Sequence, residues 1–385
     1  MHVSRLALDH YRSWNSCVLD FAPGVNILQG RNGLGKTNIV EAVEVLATGG
    51  SHRTSSSLPL VQRGERAATI RANVEDSGRT VTYELTVPAR GANRARINGG
   101  PSVYMRDILG RIPCVTFAPE DQRLVAGDPA GRRGFLNQAG ALLTPGYYDL
   151  SQRFARIGQQ RGALLKRIAG RDGREPIDAA LSGLEIWTGQ FIEAGVALTR
   201  MRAELVERLG GPFAEIYAQL TTANRQSGQR ARLVYEPSFD EVLAYESPEA
   251  HISEHFRRIY PGEASRGTNL LGPQRDDVTV ELEGMPAREY ASNGEMWTMA
   301  LALKMALFRL VGEAGAKPVV ILDDVFAQLD ESRRGQILDF AADQDQVLIT
   351  VAARSDIPDI GGADAHVIDV AGLIGQPDGG EATAA

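Results

Sequence analysis

Apolar and polar side chains alternate along residues 2–9, with Val3, Leu6 and Leu8 on the apolar side, and again along 16–21. This spacing predicts that the chain opens with strands. The apolar run Val25-Asn26-Ile27-Leu28-Gln29 predicts a third strand, and Asn38–Leu46 carries helical periodicity. A polar loop, Ser51-His52-Arg53-Thr54-Ser55-Ser56-Ser57, follows. Strand patterns return at 67–74, 79–87 and 93–98, with turns at Asp76-Ser77-Gly78 and Gly99-Gly100. Together they predict an antiparallel sheet beside the opening elements. Ile112–Phe117 is a further strand, ending at Ala118-Pro119-Glu120-Asp121.

From about 129 to 223 the texture changes to helix formers with wide apolar spacing. Breaks at Thr144-Pro145-Gly146, Gly170–Pro176 and Gly210-Gly211-Pro212 divide it into at least three helices, one near 146–169 and a longer one near 177–209. At ~1.5 Å per residue these arms reach roughly 35–50 Å. No sustained heptads appear, so the region reads as a compact helical domain and not a long coiled coil. Residues 230–236 predict a strand and 238–260 a helix. Strand texture returns at Asn269-Leu270-Leu271 and at Asp277–Glu283, before a tight turn at Gly284. A helix over 294–314, a buried strand over Val319–Leu322, a helix over 331–342 and a strand over 346–352 complete the pattern.

These elements define an α/β fold. The expected organisation is 1–125 as the first half of a P-loop ATPase head, 126–265 as an inserted helical arm domain, and 266–373 as the second half of the head. Residues 374–385, rich in Gly, Ala and acids, read as a disordered tail.

Composition narrows the class. A 385-residue chain with 43% hydrophobic and 23% charged residues is a soluble globular protein with room for two or three domains. His2, Arg5, Asp9, His10 and Arg12 leave no signal-peptide core, and the most apolar stretch, 296–311, carries Lys304 and Arg309. No membrane is therefore expected. Two cysteines, Cys17 and Cys114, are too few for a disulfide framework, which favours the cytoplasm. Net charge is −7, which counts against a surface wholly devoted to nucleic acid. The charge is uneven, however. Between Pro119 and Arg174 ten basic residues (Arg123, Arg132, Arg133, Arg153, Arg156, Arg161, Lys166, Arg167, Arg171, Arg174) face five acids. Such a local excess fits either a polyanion surface or a solvated helical face.

The chemistry centres on Gly30-Arg31-Asn32-Gly33-Leu34-Gly35-Lys36-Thr37, set between a strand and a helix. This is a phosphate-binding P-loop in its full context. Its glycines let backbone N–H groups turn inward around a polyphosphate, and the helix that follows points its positive end at the same anion. Lys36 would place a compact charge on the β- and γ-phosphates of ATP, and Thr37 would put its hydroxyl on Mg²⁺. Only four lysines occur among 41 basic residues, and one stands here, where a point charge suits phosphate best.

Val319–Leu322 followed by Asp323-Asp324 reads as a Walker B element. Asp323 would reach Mg²⁺ opposite Thr37, and Asp324 would orient or deprotonate the attacking water. The two motifs lie about 280 residues apart yet must flank one metal. The ATPase fold is therefore split, with the helical region carried as an insertion. Ser292-Asn293-Gly294-Glu295, at the start of the helix before Walker B, reads as a capping box. It reads equally as an ABC-type signature, in which Ser292, Gly294, Glu295 and the helix tip bind the γ-phosphate of ATP held by a second subunit. Asp330 stands where a D-loop would fall. Arg12 and the 67–98 sheet are candidates for adenine contacts.

The sequence resembles the RecF recombination-mediator family along most of its length. The resemblance is carried by Ser51-His52-Arg53-Thr54, Phe117-Ala118-Pro119-Glu120-Asp121, Gly272-Pro273-Gln274-Arg275-Asp276-Asp277 and Leu322-Asp323-Asp324-Val325-Phe326. It implies a cytoplasmic, weakly DNA-stimulated ATPase that forms a homodimer on ATP, binds DNA at single-strand gaps, and helps load RecA together with RecO and RecR. The chain departs from the family pattern at Gln274, where His is usual, and at Gly134 and Asn137 in Arg132-Arg133-Gly134-Phe135-Leu136-Asn137. The usual glutamine-rich signature is here Ser292-Asn293-Gly294-Glu295-Met296-Trp297. The alternative readings are the ATPase subunit of an ABC transporter, a small SMC-like ATPase and a P-loop kinase. A transporter subunit would keep a histidine after the strand that here ends Thr350-Val351-Ala352-Ala353-Arg354, and would lack the helical insertion. Short arms disfavour the SMC-like protein, and the remote Walker B disfavours the kinase.

Overall fold

The computed structural model describes residues 1–54, 56–170, 178–223, 228–313, 315, 317–328, 331–353, 356 and 365–374. They form two compact units: 1–122, 216–228 and 297–385 in the first, and 123–215 with 229–296 in the second.

The first unit begins with β1 (His2–Tyr11), β2 (Trp14–Asp20), β3 (Gly24–Gln29) and α1 (Lys36–Thr48). It continues with β4 (Ala67–Asp76), β5 (Arg79–Pro88), β6 (Arg94–Ile97), β7 (Val103–Tyr104) and β8 (Cys114–Phe117). The expected antiparallel sheet is present with strand order β2-β1-β4-β5-β6-β7. Its strands bury alternate residues, as the period-two pattern requires.

In the second unit come α2 (Arg123–Ala126), α3 (Pro129–Leu143), α4 (Tyr147–Ala169) and most of α5 (Asp178–Ala223). They are followed by β9 (Ala231–Glu236), α6 (Glu241–Ala244), α7 (Glu249–Arg266), β10 (Asp277–Leu282), β11 (Met285–Pro286), α8 (Ala287–Tyr290) and the start of α9 (Asn293–Glu313). The first unit then resumes with β12 (Val319–Asp323), α10 (Glu331–Ala342), β13 (Gln346–Val351) and β14 (His366–Asp369).

A second sheet of the first unit has the order β14-β3-β13-β12-β8, with all pairs parallel. Every residue of β8, β12 and β13 is buried, which explains why these strands read as unbroken apolar runs. α1 packs against strands of both sheets, so its apolar face is wide and nearly all of it is buried. The order matters for function. β13 separates β3 from β12, so the P-loop and the Walker B carboxylates leave the same C-terminal edge of the sheet, where open α/β sheets bind ligands.

The second unit has an aromatic core. Phe191 packs on Phe154 with ring centroids 4.7 Å apart, and edge-on to Phe256 at 6.0 Å. Two buried ion pairs cross it: Arg161 with Glu263 at 2.6 Å and Arg202 with Asp276 at 2.8 Å. α3 and α4 approach so closely that a Cβ at Gly140 would lie 2.7 Å from the Tyr147 ring.

Several expectations change. The break expected at Gly210-Gly211-Pro212 does not occur, and α5 runs 46 residues with Pro212 inside it. Leu209, Phe213 and Tyr217 are fully buried on either side, and this packing outweighs the one hydrogen bond that proline removes. That helix is about 69 Å long at 1.5 Å per residue, longer than the expected arm. Residues 238–260 split into α6 and α7. Asn269-Leu270-Leu271 is not a strand, because the Asn269 carboxamide binds Arg161 and the Gly158 carbonyl instead. Residues 216–228 group with the first unit and 266–296 with the second, against expected boundaries at 125, 265 and 373. The expected tail from 375 onwards lies outside the described residues.

Candidate functional site

The P-loop connects β3 to α1, and two of its glycines take positive φ, Gly33 at 87° and Gly35 at 92°. At Gly35 a side chain would also collide with the Trp14 indole, 2.7 Å from an added Cβ. The loop is held there by the Trp14 Nε1–H, which donates to the Gly35 carbonyl at 3.2 Å. Arg31, Asn32 and Gly33 are exposed, so the cradle opens to solvent. Lys36 is buried, and its ammonium donates to the Gly30 carbonyl at 2.6 Å and to that of Arg31 at 3.1 Å. Burial lowers the Lys36 pKa, while Asp324 and Asp323 pull it back up.

Thr37 and Asp323 meet, as the split-site reading requires. Thr37 Oγ1 donates to Asp323 Oδ1 at 3.0 Å, and Thr350 Oγ1 donates to the same oxygen at 2.7 Å. Burial alone would raise the Asp323 pKa. His52, Thr350 and Thr37 more than offset it, so the carboxylate stays below its ordinary range. The next residue is in the opposite condition. Asp324 is exposed and sits at φ 53°, and its backbone N–H donates to Thr350 Oγ1 at 2.9 Å. Partial burial and the Asp323 charge raise its carboxyl pKa. The two adjacent carboxylates thus carry shifts of opposite sign, Asp323 lowered and Asp324 raised.

A hydroxyl and a carboxylate facing each other form an oxygen-donor set of the kind Mg²⁺ takes when it keeps several waters and a phosphate as its other ligands. Among the described residues no group of three or more His, Cys, Asp or Glu forms a closed protein cage for a metal.

A second layer supports this centre, and apart from Arg12 sequence reasoning gave its residues no role. His52 Nδ1 lies 2.6 Å from Glu44 Oε2, and its Nε2 lies 3.5 Å from Asp323 Oδ2, without hydrogen-bond geometry. Burial disfavours the imidazolium, but Glu44 and Asp323 reverse this and raise its pKa to about 10. The imidazolium thus links the P-loop helix to Walker B. Glu41, fully buried on α1, accepts from Arg12 Nε at 2.9 Å, Ser51 Oγ at 2.5 Å and Arg53 Nη1 at 3.3 Å. The available signal was Glu41 and Glu44, one turn apart on an otherwise apolar helix, opposite the Ser-His-Arg segment. Arg12, the candidate adenine contact, donates to Glu41 here.

Ser292 is exposed at the start of α9, in the second unit. Its backbone N–H donates to Glu295 Oε2 at 2.8 Å, and the Glu295 N–H donates to Ser292 Oγ at 3.3 Å. The capping box is therefore formed. Glu295 also accepts from Gln229 Nε2 at 3.0 Å. Gly294 is half-buried beside it, and Asp330 lies outside the described residues.

The basic stretch separates into two populations. Arg132 is buried and binds Asp277 at 2.6 Å, Arg133 donates to the Asp276 carbonyl at 2.9 Å, and Arg161 is buried on Glu263. Arg161 therefore cannot belong to a DNA-facing surface as the sequence suggested. Arg123, Arg153, Arg156, Lys166 and Arg167 are exposed, and Arg171 and Arg174 lie outside the described residues. Of the positions that depart from the family pattern, Gln274 donates to the Leu271 carbonyl at 2.9 Å, and Asn137 accepts from Tyr147 and Arg202 at 2.9 and 3.1 Å. No atom lies within 4 Å of a Cβ built at Gly134.

Strand, glycine loop, helix and a remote strand-end aspartate closing on the loop threonine define a P-loop nucleotide-binding head split by an insertion. Residues 2–359 match the RecF/RecN/SMC N-terminal domain family. The chain is 66% identical over 376 residues to the DNA replication and repair protein RecF of Bifidobacterium longum subsp. infantis, covering 97% of this chain and 90% of the relative. It is 41% identical over 360 residues to the RecF of Frankia alni, covering 93% and 95%. Among solved structures it is similar to that of the recombination mediator protein RecF-ATPrS in the RecFOR pathway, with a TM-score of 0.81, 25% identity, and 96% of each chain covered. The chain belongs to the RecF family of DNA replication and repair proteins. This places it apart from transporter ATPase subunits, and among the described residues no helix is long and apolar enough to cross a membrane.

Proposed function

We propose that the chain is an ATP-dependent DNA clamp of recombinational repair. It acts in the cytoplasm, closes as a homodimer on ATP, binds DNA at single-strand gaps and works with RecO- and RecR-type mediators to load recombinase. Lys36 and the loop Gly30–Thr37 hold the triphosphate. Thr37 and Asp323 would hold Mg²⁺, which supplies charge neutralisation at the phosphates when bound. Asp324 orients or deprotonates the attacking water, and its raised pKa suits that role. Hydrolysis is weak, DNA-stimulated, and serves as the release step.

Ser292, Gly294 and Glu295 form a solvent-facing helix tip that would meet the nucleotide of a second subunit, with Asp330 at the same junction. Arg12 is the candidate adenine contact and also fixes α1 through Glu41. Among the described residues of the basic stretch, Arg123, Arg153, Arg156, Lys166 and Arg167 are exposed and would meet DNA phosphates.

The observation that carries this reading is the 3.0 Å hydrogen bond between Thr37 and Asp323, which closes the site from the two ends of the chain. Sedimentation of the intact chain with and without ATP, Mg²⁺ and gapped DNA tests it. An ATP-dependent dimer bound to gapped DNA supports the clamp. A species that stays monomeric under every condition overturns it.

A further inference from the structure

Between α4 and α5, within the second unit, lies a groove of about 450 Å³ lined by Arg153, Arg156, Ile157, Gln160, Trp187 and Gln190. Its floor is apolar: Ile157 is buried, and the half-buried Trp187 packs on the aromatic core. Its rim is polar and exposed, with two guanidiniums and two carboxamides. Arg153, Arg156 and Gln160 share one face of α4 by helical spacing, and Arg167 two turns on continues that face.

The charge at the rim is available. Among the described residues Arg156 meets no carboxylate; its Nε donates to the Gln152 carbonyl of its own helix at 3.4 Å. Arg153 pairs with Glu193 at 3.2 Å, but both side chains are largely exposed, 51% and 69%, and such a pair exchanges readily. Along 183–193 α5 exposes Glu185 and Glu193, and α4 exposes Asp149, against Arg153, Arg156, Lys166 and Arg167 on α4.

We propose that this groove binds an unstacked base of single-stranded DNA on the Trp187 indole, with Arg153 and Arg156 on the flanking phosphates. The proposal rests on the reading of the chain as a gap-binding protein and adds the element that recognises the single strand. An indole accepts the face of any base, and a stacked duplex offers no such face, so the groove selects single strands without reading sequence. The Gln160 and Gln190 carboxamides carry both donors and acceptors and suit any base edge. An acidic peptide would satisfy the guanidiniums but would leave the indole floor without a matching flat partner.

Tryptophan fluorescence provides the test, since the chain has three tryptophans and the other two, Trp14 and Trp297, are only 5% and 9% exposed. The full chain is titrated with oligo-dT, with a duplex of equal length, and with a poly-glutamate peptide. The expected result is saturable quenching by oligo-dT alone. Trp187→Phe should abolish the signal while anisotropy reports affinity within about twofold of the parent. Trp187→Ala should weaken oligo-dT binding about tenfold and leave duplex binding unchanged. Arg156→Glu, on the solvent-exposed rim, should weaken the same binding without disturbing the fold. Unchanged oligo-dT affinity in Trp187→Ala and Arg156→Glu, or an equal loss for duplex in Trp187→Ala, overturns the site. Quenching by poly-glutamate as strong as by oligo-dT overturns it in favour of a protein partner. A parent chain that binds neither DNA overturns the clamp itself, whereas gapped-DNA binding with a silent Trp187 overturns this groove alone.

Discussion

Thr37 Oγ1 donates to Asp323 Oδ1 at 3.0 Å although 286 residues separate them. One stands at the start of α1 and the other at the end of β12, and parallel pairing through β13 brings the two together. The same carboxylate faces the His52 imidazolium, itself anchored on Glu44 of α1. The two halves of the site are thus joined through side chains of the chain itself.

Lys36→Arg tests the phosphate role. The ammonium sits in a narrow place between the Gly30 and Arg31 carbonyls at 2.6 and 3.1 Å. A planar guanidinium does not fit there as a point charge. ATP binding measured by filter retention should persist in part, while phosphate release falls to background. Unchanged release would remove Lys36 from catalysis.

Ser292→Arg addresses the composite site. The Ser292 side chain is exposed at the tip of α9, so the larger residue is tolerated in the monomer. Nucleotide binding should be retained, and light scattering should lose the ATP-dependent rise in mass. An intact dimer in this variant would rule out the helix tip as a contact with the partner's nucleotide.

The buried and exposed arginines should respond differently. Arg161→Ala leaves Glu263 charged and unpaired in the core, at a cost of about 3–5 kcal/mol seen as a lower denaturation midpoint. Exchanging Arg156 and Arg167 for Glu should leave stability within about 0.5 kcal/mol. It should also flatten the slope of log affinity against log salt by about two or more for duplex-containing DNA. Equal stability losses in both sets would contradict the burial pattern.

Acid should weaken the second unit through Asp277. Burial pushes this carboxyl up, but Arg132 and the Val278 N–H pull it below the ordinary range. A depressed native pKa means stabilisation that is complete above about pH 4 and lost as pH falls through the native value. Thermal unfolding of the parent and of Asp277→Asn should therefore differ most near neutral pH and converge toward pH 3. A constant gap across that range would mean the ion pair does not titrate with folding.

The glycine loop, the paired carboxylates and the capping box were legible in the sequence because each is a short segment whose chemistry is set by neighbours along the chain. The second layer was not. Glu41, Glu44, His52, Thr350 and Trp14 come from four separate segments, and only packing of α1 between two sheets makes them neighbours. The arginines show the same limit. Arg156 and Arg161 look equivalent in a basic run, yet five positions along a helix turn one toward solvent and the other onto Glu263.

By itself the sequence determined a P-loop head, its strand-end acids and the helical character of the insertion. These depend on local backbone preference and on period-two or period-3.6 burial, which each segment encodes alone. Tertiary structure decided that α5 passes through Pro212, which arginines are exposed, and what surrounds Asp323. Those outcomes depend on which distant groups compete for one buried space, and no local pattern carries that information.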